Sequence, residues 1–472
     1  MSTFYIENFG CRATEADASA MRHELLARGL MPTSEHTSAD VVVLNTCTVT
    51  AAADSQAREA VRKIHRANPG ARIIVTGCYA QRAPEELAAL DGVEWVVGNS
   101  RQSEIPRLVA PQPEPAKAPA RISGVTAFSR VVLAESATDF VPLARISDGA
   151  MSLSRGAAKI LTGDIFAQST VQIAGVDSLA GSSSGDRTRP ILKIQDGCNN
   201  RCSYCVIPFV RGRSRSLRPD VVIDEVGQLH SAGVKEIVLS GINLGSYGRD
   251  LTPRAALVNL VHRILDETLI DQIRFSSIEP QDITEDFVSL VAGSRRLAPH
   301  FHVPLQSGSD RILRAMHRWY RTEHYAERIS LVRRFLPDAA IGADVIVGFP
   351  GESDDDFRAT REFIERLPFT YLHVFSFSAR PGTAAEQLGD AVPPAEIRER
   401  ARILRALGHK KSAEFRASLA GRSLRALTLH RCRSDWTEAL TGNYLKVRVP
   451  GLHPANEWHQ VCITVDEAAA IA

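Results

Sequence analysis

The sequence predicts an α/β protein built from a doubly wound parallel sheet, a partial (β/α)6 barrel and a small β domain. Strand and helix patterns alternate through residues 1–105, and six further strand–helix units lie within residues 189–420. Alternation of this kind is typical of parallel sheets with helices packed on their faces. Residues 421–472 differ, because short strand patterns separated by turns predict a small β domain there.

The composition is that of an ordinary globular protein. Of the 472 residues, 44% are hydrophobic and 23% are charged, and the net charge is +2. There is no signal-peptide pattern and no run of about 18 apolar residues, so we expect a cytoplasmic protein without a membrane segment. The eight cysteines show no disulfide framework. In a reducing compartment, cysteines of this kind are better explained as metal ligands.

Residues 1–105 alternate between short apolar strands and helices. The buried character is clearest at 40–45, where the run DVVVLN predicts a strand covered on both faces. Strands are predicted at 4–9, 40–45, 72–76 and 94–97, and helices at 16–28, 56–67 and 84–90. This order predicts a small doubly wound domain.

A cysteine follows each of the first three predicted strands, at Cys11, Cys47 and Cys78. The carboxyl ends of parallel strands meet at one edge of an open sheet, which is where ligands bind. A single cysteine after a strand is more often a buried thiol. Three in the same topological position instead favour a metal site.

Residues 106–188 have a different character. A proline-rich stretch at 111–119 and a Gly/Ser tract at 181–186 indicate linkers, with only weak strand patterns at 125–133 and 163–173. We interpret the whole segment as a long, partly ordered linker or insertion. We expect residues 121–180 to be dispensable for chemistry, because they lack a core pattern.

Regular strand patterns return after residue 190. Strands are predicted at 191–195, 236–240, 272–276, 300–305, 342–348 and 371–377. The intervening helices are predicted at 221–232, 255–265, 284–292, 310–316, 322–335 and 354–366, and a closing helix at 393–419. Parallel strands joined by right-handed crossovers would curl into a partial barrel. Its active site is expected at the carboxyl face.

The strongest chemical signal is the C-x3-C-x2-C run of Cys198, Cys202 and Cys205, directly after the first barrel strand. No fourth cysteine is nearby, so a 4Fe–4S cluster held here would keep one iron open for a small molecule. Structural zinc normally takes four ligands, and no His or Cys follows at finger spacing. A zinc site or buried free thiols remain the alternatives.

The triad, with Tyr204 before its third cysteine, resembles the radical S-adenosylmethionine (SAM) enzymes, in which the open iron binds SAM. The chain as a whole resembles the methylthiotransferases of that superfamily, apart from about 106–188. The motifs that carry this resemblance are GCR at 10–12, NTC at 45–47, TGC at 76–78, HVPLQSGS at 302–309 and DVIVGFPGE at 344–352.

The resemblance implies two 4Fe–4S clusters. Cys198, Cys202 and Cys205 would hold the radical SAM cluster. Cys11, Cys47 and Cys78 would hold an auxiliary cluster that carries the sulfur to be transferred. One SAM would supply the methyl group, and a second would supply the radical that abstracts hydrogen from an unreactive carbon. A low-potential electron donor of flavodoxin or ferredoxin type is implied, with a C-terminal RNA-binding domain of the TRAM type at 421–472.

Three substrates are known in that family. Blocks at 45–50, 195–200, 211–216 and 240–248 look most like the enzyme that modifies carbon 2 of N6-threonylcarbamoyladenosine next to the tRNA anticodon. The alternatives are isopentenyladenosine in tRNA and an aspartate of a ribosomal protein. A non-catalytic Fe–S protein that binds RNA is the alternative from another functional class. The cluster of such a protein would normally have four protein ligands, whereas this motif offers three.

Further site residues are expected at the carboxyl face of the barrel. We predict cofactor contacts by Tyr204, Gly241, Glu279, Gln306 and Gly348, with a plain turn or a loop-ordering hydrogen bond as the alternative at each strand end. Gly348 and its neighbour Gly351 would allow close backbone approach to the nucleoside of SAM.

Four arginines follow the cluster loop, at Arg211, Arg213, Arg215 and Arg218. Next to the active site of an RNA enzyme they could bind tRNA phosphates or the threonyl carboxylate, although a solvated loop is the alternative. Cys432 and Cys462 are not in ligand spacing, and we interpret them as structural thiols.

Overall fold

The computed structural model describes residues 2–110, 158–172 and 188–465. Within these ranges the chain is an α/β protein, and its three parts follow the predicted order. None of the helices described is long and apolar enough to cross a membrane. The strand pattern at 125–133 and the Gly/Ser tract at 181–186 lie outside the described residues.

The N-terminal domain is a parallel sheet in the order β2-β1-β3-β4-β5-β6. Its strands are β1 (Thr3–Asn8), β2 (Met31–Pro32), β3 (Val41–Thr46), β4 (Arg72–Gly77), β5 (Val93–Gly98) and β6 (Lys159–Leu161). Its helices are α1 (Arg12–Ala27), α2 (Ala51–Ala67), α3 (Cys78–Arg82), α4 (Pro84–Ala88) and α5 (Ile105–Val109). Alternate residues of β3 pack into the two cores on opposite faces, so the central strand is buried on both sides as predicted.

Part of the predicted linker belongs to this sheet. Lys159–Leu161 pairs in parallel with β5, and the Lys159 ammonium lies 5.0 Å from the ring centre of Trp95. The weak strand pattern at 163–173 is wrong, because Ile165–Ala167 forms a single 3-10 turn capped by the Asp164 carboxylate. A three-residue edge strand carries no periodicity, which explains why the sequence did not reveal it.

The second part is the open barrel. Its strands are β7 (Ile191–Asp196), β8 (Arg215–Ser216), β9 (Glu236–Gly241), β10 (Gln272–Phe275), β11 (His300–His302), β12 (Ala340–Val347) and β13 (Tyr371–Ser376). Parallel pairing runs β7-β9-β10 and β11-β12-β13, and a bridge between Ser277 and His302 joins the two sheets. In the described chain β13 does not pair with β7, so the barrel is partial as predicted. Helix α1 of the N-terminal domain packs against β7.

Helices cover the outside of the barrel. They are α6 (Ile207–Arg211), α7 (Pro219–Ser231), α8 (Leu257–Glu267), α9 (Glu285–Gly293), α10 (Asp310–Ala315), α11 (Thr322–Phe335), α12 (Asp354–Arg366) and α13 (Pro394–Ser418). The short helix α6 and the antiparallel strand β8 were not predicted, since neither is long enough to show a period.

The C-terminal domain is an antiparallel sheet in the order β16-β15-β14-β17. Its strands are β14 (Ser423–Arg433), β15 (Trp436–Thr441), β16 (Lys446–Pro450) and β17 (Trp458–Cys462). It packs against the amino end of the barrel, where the buried Arg274 donates to the carbonyls of Thr441 and Gly442. Cys432 and Cys462 are exposed on it, which corrects their interpretation as structural thiols.

A buried ionic cluster joins the first two parts. Asp17 on α1 accepts hydrogen bonds from Lys193 of β7 and, at 2.8 Å, from Arg211. Asp196 accepts from the same two cations and from Arg215. The carboxylates are paired rather than isolated, as burial requires. The cluster fixes the N-terminal domain against the start of the barrel.

Candidate active site

The three N-terminal cysteines lie at the carboxyl ends of β1, β3 and β4, as predicted. Two glycines allow them to converge. Gly10 has φ +117°, and a Cβ there would lie 2.5 Å from the Cβ of Cys47. Gly77 has φ +99°, and a Cβ there would lie 2.3 Å from the Thr46 carbonyl oxygen. The Gly-Cys pairs in the sequence are therefore explained by close approach of neighbouring strand ends.

Burial and mutual proximity dominate the chemistry of this N-terminal triad. Burial raises the pKa of Cys47 to about 12, and the thiols of Cys78 and Cys11 contribute to that rise. The Asn99 amide lies 3.4 Å from the Cys78 sulfur and is positioned to donate to it. Cys11 is exposed, whereas Cys47 and Cys78 are buried. The triad thus has one open side.

The barrel triad occupies the loop after β7. Gly197 has φ +71°, and a Cβ there would lie 2.0 Å from the Arg213 carbonyl oxygen, so the loop needs glycine at its start. The sulfur of Cys198 accepts from the Asn200 backbone at 3.4 Å. The sulfur of Cys202 accepts from the Arg318 guanidinium at 3.2 Å. Donors placed on the sulfurs stabilise thiolates, the form that binds iron.

The spacing of the sulfurs tests the zinc alternative. Among the described residues, the groups of three ligand atoms lying within 4.8 Å of one another include neither cysteine triad. Zinc bonds thiolates at about 2.3 Å, so two ligands of one ion lie at most about 4.6 Å apart. As placed, neither triad could bind one zinc ion through all three sulfurs. A polynuclear iron–sulfur cluster does not have this limit, because its thiolates bind different irons.

A chamber of about 190 Å³ lies between the segment that follows Cys47 and the barrel cluster loop, and we call it the central chamber. Val49 and Thr50, which follow Cys47, line one side of it, and Cys205 lines another. Tyr204 and Gln306 also line it, as do the apolar residues Ile346, Phe375 and Phe377. A molecule in the central chamber would touch both the N-terminal domain and the barrel cluster loop.

Two of the predicted cofactor residues are held rigidly at this chamber. The Tyr204 ring packs edge-on against Phe349, with ring centroids 6.5 Å apart. Gln306 has φ +66°, a left-handed conformation that costs free energy for a residue other than glycine. Its backbone N–H donates to the Asp344 carbonyl at 2.8 Å, which holds it there.

A second, larger cavity of about 930 Å³ lies against the same cluster loop, and we call it the outer cavity. Cys198, Cys202 and Cys205 line it, together with the exposed rings of Phe166 and Phe209. No residue of 2–110 lines it, in contrast to the central chamber. The cluster loop therefore lines two spaces, of which only one is also lined by residues that follow an N-terminal cysteine.

Glu279, Gly241 and Gly348 have protein partners in the structure. Glu279 forms an ion pair with Arg318, and burial raises the pKa of its carboxyl. A Cβ on Gly241 would lie 2.8 Å from the Gln195 amide oxygen, so packing of β9 against β7 explains glycine here. Gly348 has φ +77°, and a Cβ would lie 2.4 Å from Ile397 of α13. This contact explains glycine at position 348. The approach of its backbone to a nucleoside stays a prediction.

The four arginines divide into two pairs. Arg211 and Arg215 are bound by Asp196, and Arg211 is buried, so the prediction that they bind RNA is corrected. Arg213 and Arg218 are exposed, and their side chains have no ion-pair partner in the described part of the chain. Arg213 lines the outer cavity. Arg218 precedes α7.

Sequence reasoning missed three residues of the site. Arg318 contacts Cys202, Asn99 contacts Cys78, and Asp17 pairs with Lys193 and Arg211. Most of these partners are far apart in sequence, and none forms a spaced motif. The one available signal for Asp17 was an acidic residue among small residues on the first predicted helix, which is too weak to assign.

Both large domains match known families. Residues 3–98 match the family described as Uncharacterized protein family UPF0004, and residues 192–364 match the Radical SAM superfamily. Among solved structures, the radical S-adenosylmethionine methyltransferase TsrM from Kitasatospora setae has a TM-score of 0.54 at 17% identity. That likeness covers 82% of this chain and 77% of TsrM and concerns the fold alone.

Closer relatives cover almost the whole chain. The Threonylcarbamoyladenosine tRNA methylthiotransferase MtaB of Aquifex aeolicus is 35% identical over 97% of this chain and 99% of its own length. The protein of the same name from Bacillus subtilis is 32% identical over 96% and 91%. The tRNA-2-methylthio-N(6)-dimethylallyladenosine synthase of Syntrophobacter fumaroxidans is 35% identical over 84% and 79%.

Proposed function

Because this chain belongs to the radical SAM methylthiotransferase family, we propose that its substrate is N6-threonylcarbamoyladenosine in tRNA and that each cysteine triad holds one 4Fe–4S cluster. The family makes it a radical SAM tRNA methylthiotransferase that uses SAM and an iron–sulfur cluster. The proposal adds the nucleoside and the second cluster.

The share of each relative's length that aligns with this chain supports the choice of nucleoside. At the same 35% identity, the match to the threonylcarbamoyladenosine enzyme of Aquifex aeolicus spans 99% of that protein, against 79% of the dimethylallyladenosine synthase. Two proteins that align from end to end share all their domains, including those that contact the substrate. The sequence blocks at 45–50, 195–200, 211–216 and 240–248 favour the same nucleoside.

The convergence of Cys11, Cys47 and Cys78 supports a second cluster. When bound, the barrel cluster supplies the electron that cleaves SAM, and the N-terminal cluster supplies the sulfur. The protein's own contribution is placement: Val49 and Thr50 follow Cys47 and face the same chamber as Cys205. A reacting carbon in the central chamber would lie beside the cluster loop on one side and the N-terminal domain on the other.

The walls of the central chamber suit a radical reaction. Ile346, Phe375 and Phe377 present apolar surface, which limits the water beside a reacting carbon, while Thr50, Tyr204 and Cys205 supply the polar part of the wall. Arg380 is buried at its edge, where it binds Asp54 at 2.6 Å and so connects α2 to the segment after β13. This ion pair joins the two domains at the edge of the chamber.

For tRNA itself we propose a phosphate contact by Arg218. Its side chain is exposed, and it lies outside the outer cavity. An arginine bound to a phosphate strengthens binding to every tRNA alike, and the effect weakens with salt. Arg218→Ala should therefore reduce tRNA affinity at low salt without changing the preference between modified nucleosides.

Nucleoside mass spectrometry tests the substrate. tRNA from a deletion strain should lack the 2-methylthio form of N6-threonylcarbamoyladenosine, and a plasmid copy of the gene should restore it. A copy with Cys198→Ala is the matched control, since it should be stable yet fail to restore the product. Loss of 2-methylthio-isopentenyladenosine instead would overturn the nucleoside and leave the chemistry intact.

A further inference from the structure

The central chamber and the outer cavity share the cluster loop but differ in what else they reach. The substrate carbon must meet groups from both cysteine triads, and of the two spaces only the central chamber has residues of 2–110 in its wall. The outer cavity is lined by the three barrel cysteines and by no residue of 2–110. It is therefore suited to a process that involves the barrel cluster alone.

Radical SAM chemistry includes one such process, which is delivery of an electron. One electron passes from a reduced carrier to the oxidised cluster, so the carrier is oxidised by one electron and the cluster is reduced by one. No bond forms or breaks and no proton moves. The carrier needs close access to the cluster loop, and it needs no access to the N-terminal triad.

The surface at the outer cavity has the character of a transient protein interface. Phe166 and Phe209 are 46% and 55% exposed, and they come from separate segments of the chain. Exposed aromatic side chains that cluster around one cavity mark a surface that a partner covers.

The charge at this cavity has one sign. Arg201, Arg213 and His317 line it, and no aspartate or glutamate is among its lining residues in the described chain. The side chains of Arg201 and Arg213 are exposed, and within that part of the chain they form no ion pair. Asp164, Asp196 and Glu386 each lie two positions from a lining residue. Asp196 pairs with Arg211, Asp164 accepts a hydrogen bond from the Phe166 backbone, and Glu386 accepts one from the Gly382 backbone, each of the last two at 2.8 Å.

We propose that the outer cavity is the docking site of a small acidic one-electron carrier of the flavodoxin or ferredoxin class. Arg201 and Arg213 would steer the acidic carrier, and Phe166 and Phe209 would pack against its apolar edge near the cofactor. Electron-transfer interfaces are small and depend on charge, which matches one cavity mouth with two aromatic rings. The proposal rests on family membership and is independent of the tRNA nucleoside.

The test measures cluster reduction in the reconstituted full-length enzyme by anaerobic stopped-flow absorbance. Reduced flavodoxin is the probe for the proposed carrier, and dithionite is the small donor that needs no docking site. Arg201→Glu and Phe209→Ser should each lower the second-order rate constant with flavodoxin by about tenfold or more at low salt. The rate with dithionite should stay within about twofold of the wild type.

Matched control variants lie at the opposite end of the barrel. Arg366→Glu removes an exposed arginine at the end of α12, and Leu269→Ser removes a leucine that is 76% exposed before β10. Both should react with flavodoxin at the wild-type rate. Because Arg201 lies between two cluster ligands, iron content is measured for every variant; if Arg201→Glu loses iron, Phe209→Ser still tests the site.

Binding provides a second readout. Flavodoxin affinity, measured by titration at two salt concentrations, should fall in Phe209→Ser and should lose most of its salt dependence in Arg213→Glu. Wild-type reduction rates with flavodoxin in both cavity variants would overturn the proposal. Loss of tRNA affinity with flavodoxin reduction unchanged would also overturn it and would assign the surface to RNA.

Discussion

The two cysteine triads are assembled by different physical means. Cys198, Cys202 and Cys205 lie on one loop within eight consecutive residues, so the sequence alone shows their spacing. Cys11, Cys47 and Cys78 come from the ends of three strands, and only the parallel sheet brings them together. The barrel triad depends on the conformation of one loop, whereas the N-terminal triad depends on the fold of its whole domain.

The supporting contacts differ in the same way. The barrel triad is held from a distance by Arg318, which donates to Cys202 and pairs with Glu279. The N-terminal triad depends instead on Gly10 and Gly77, where any side chain would collide with the neighbouring strand end. The barrel triad has donors at Cys198 and Cys202 and also such a glycine, Gly197, whereas the N-terminal triad has its two glycines and also a donor, Asn99.

Removing each triad separately gives the largest expected effects. Replacing Cys198, Cys202 and Cys205 by alanine should halve the iron content and abolish formation of 5′-deoxyadenosine from SAM. Replacing Cys11, Cys47 and Cys78 by alanine should also halve the iron. That variant should still cleave SAM but should form no methylthio product. Iron analysis and chromatography of the SAM products measure both.

One outcome would refute this division. If the N-terminal triple variant loses SAM cleavage while it keeps the barrel iron, the two triads do not act separately. Cys432→Ala together with Cys462→Ala is the control, because both thiols are exposed on the C-terminal domain and should not affect iron.

The buried ionic cluster around Asp17 and Asp196 fixes the position of the N-terminal domain relative to the barrel. Asp17→Asn would leave the buried cations Lys193 and Arg211 with one carboxylate in place of two. Breaking a buried pair of this kind costs about 3–5 kcal/mol. Urea denaturation should show that loss in the free energy of unfolding.

A surface pair provides the comparison. Glu94 binds Arg72 at 2.8 Å, but both side chains are more than a third exposed. Glu94→Gln should therefore cost at most about 1 kcal/mol. Equal losses from Asp17→Asn and Glu94→Gln would show that the buried cluster does not fix the domains.

The sequence predicts features that depend on neighbouring residues better than features that depend on residues far apart in the chain. The barrel triad and Tyr204 were predicted from one motif, and the strand runs at 40–45 and 72–76 agree with β3 and β4 within a residue. The ligands of the N-terminal triad could also be predicted, because topology puts strand ends together. The contacts of Arg318 and Asp17 could not, since their partners Cys202 and Arg211 are far away in sequence.

The arginines after the cluster loop show what could not be predicted from the sequence. Composition suggested an RNA-binding run, yet Arg211 is buried between Asp17 and Asp196. Charge in a sequence does not reveal which cations are already neutralised. The same holds for Lys159–Leu161, which is a strand only because the edge of β5 is there to pair with it.

Substitutions of two glycines test how much stability depends on close packing around the backbone. Gly348→Ala should cost about 2–4 kcal/mol, from left-handed strain and from collision with Ile397. Gly351 has the same φ of +77°, but a Cβ added there would meet nothing within 4 Å, so Gly351→Ala should cost only the strain, about 1–2 kcal/mol. Denaturation of both measures the difference. A loss of SAM affinity in Gly348→Ala with stability unchanged would support the nucleoside contact.

The smallest effect is expected from the segment between the first two domains. Replacing residues 121–157 with a flexible linker of similar reach should keep methylthio transfer within a few fold, because the sequence there has no core pattern. Residues 158–172 should behave differently, since Lys159–Leu161 extends the N-terminal sheet, Phe166 lines the outer cavity and the Thr170 carbonyl accepts from Arg215. Extending the replacement through residue 172 should lower activity by at least tenfold while the barrel iron stays bound. If both replacements kept full activity, β6 and the turn after it would be irrelevant to either triad, and the N-terminal triad would depend on β1, β3 and β4 alone.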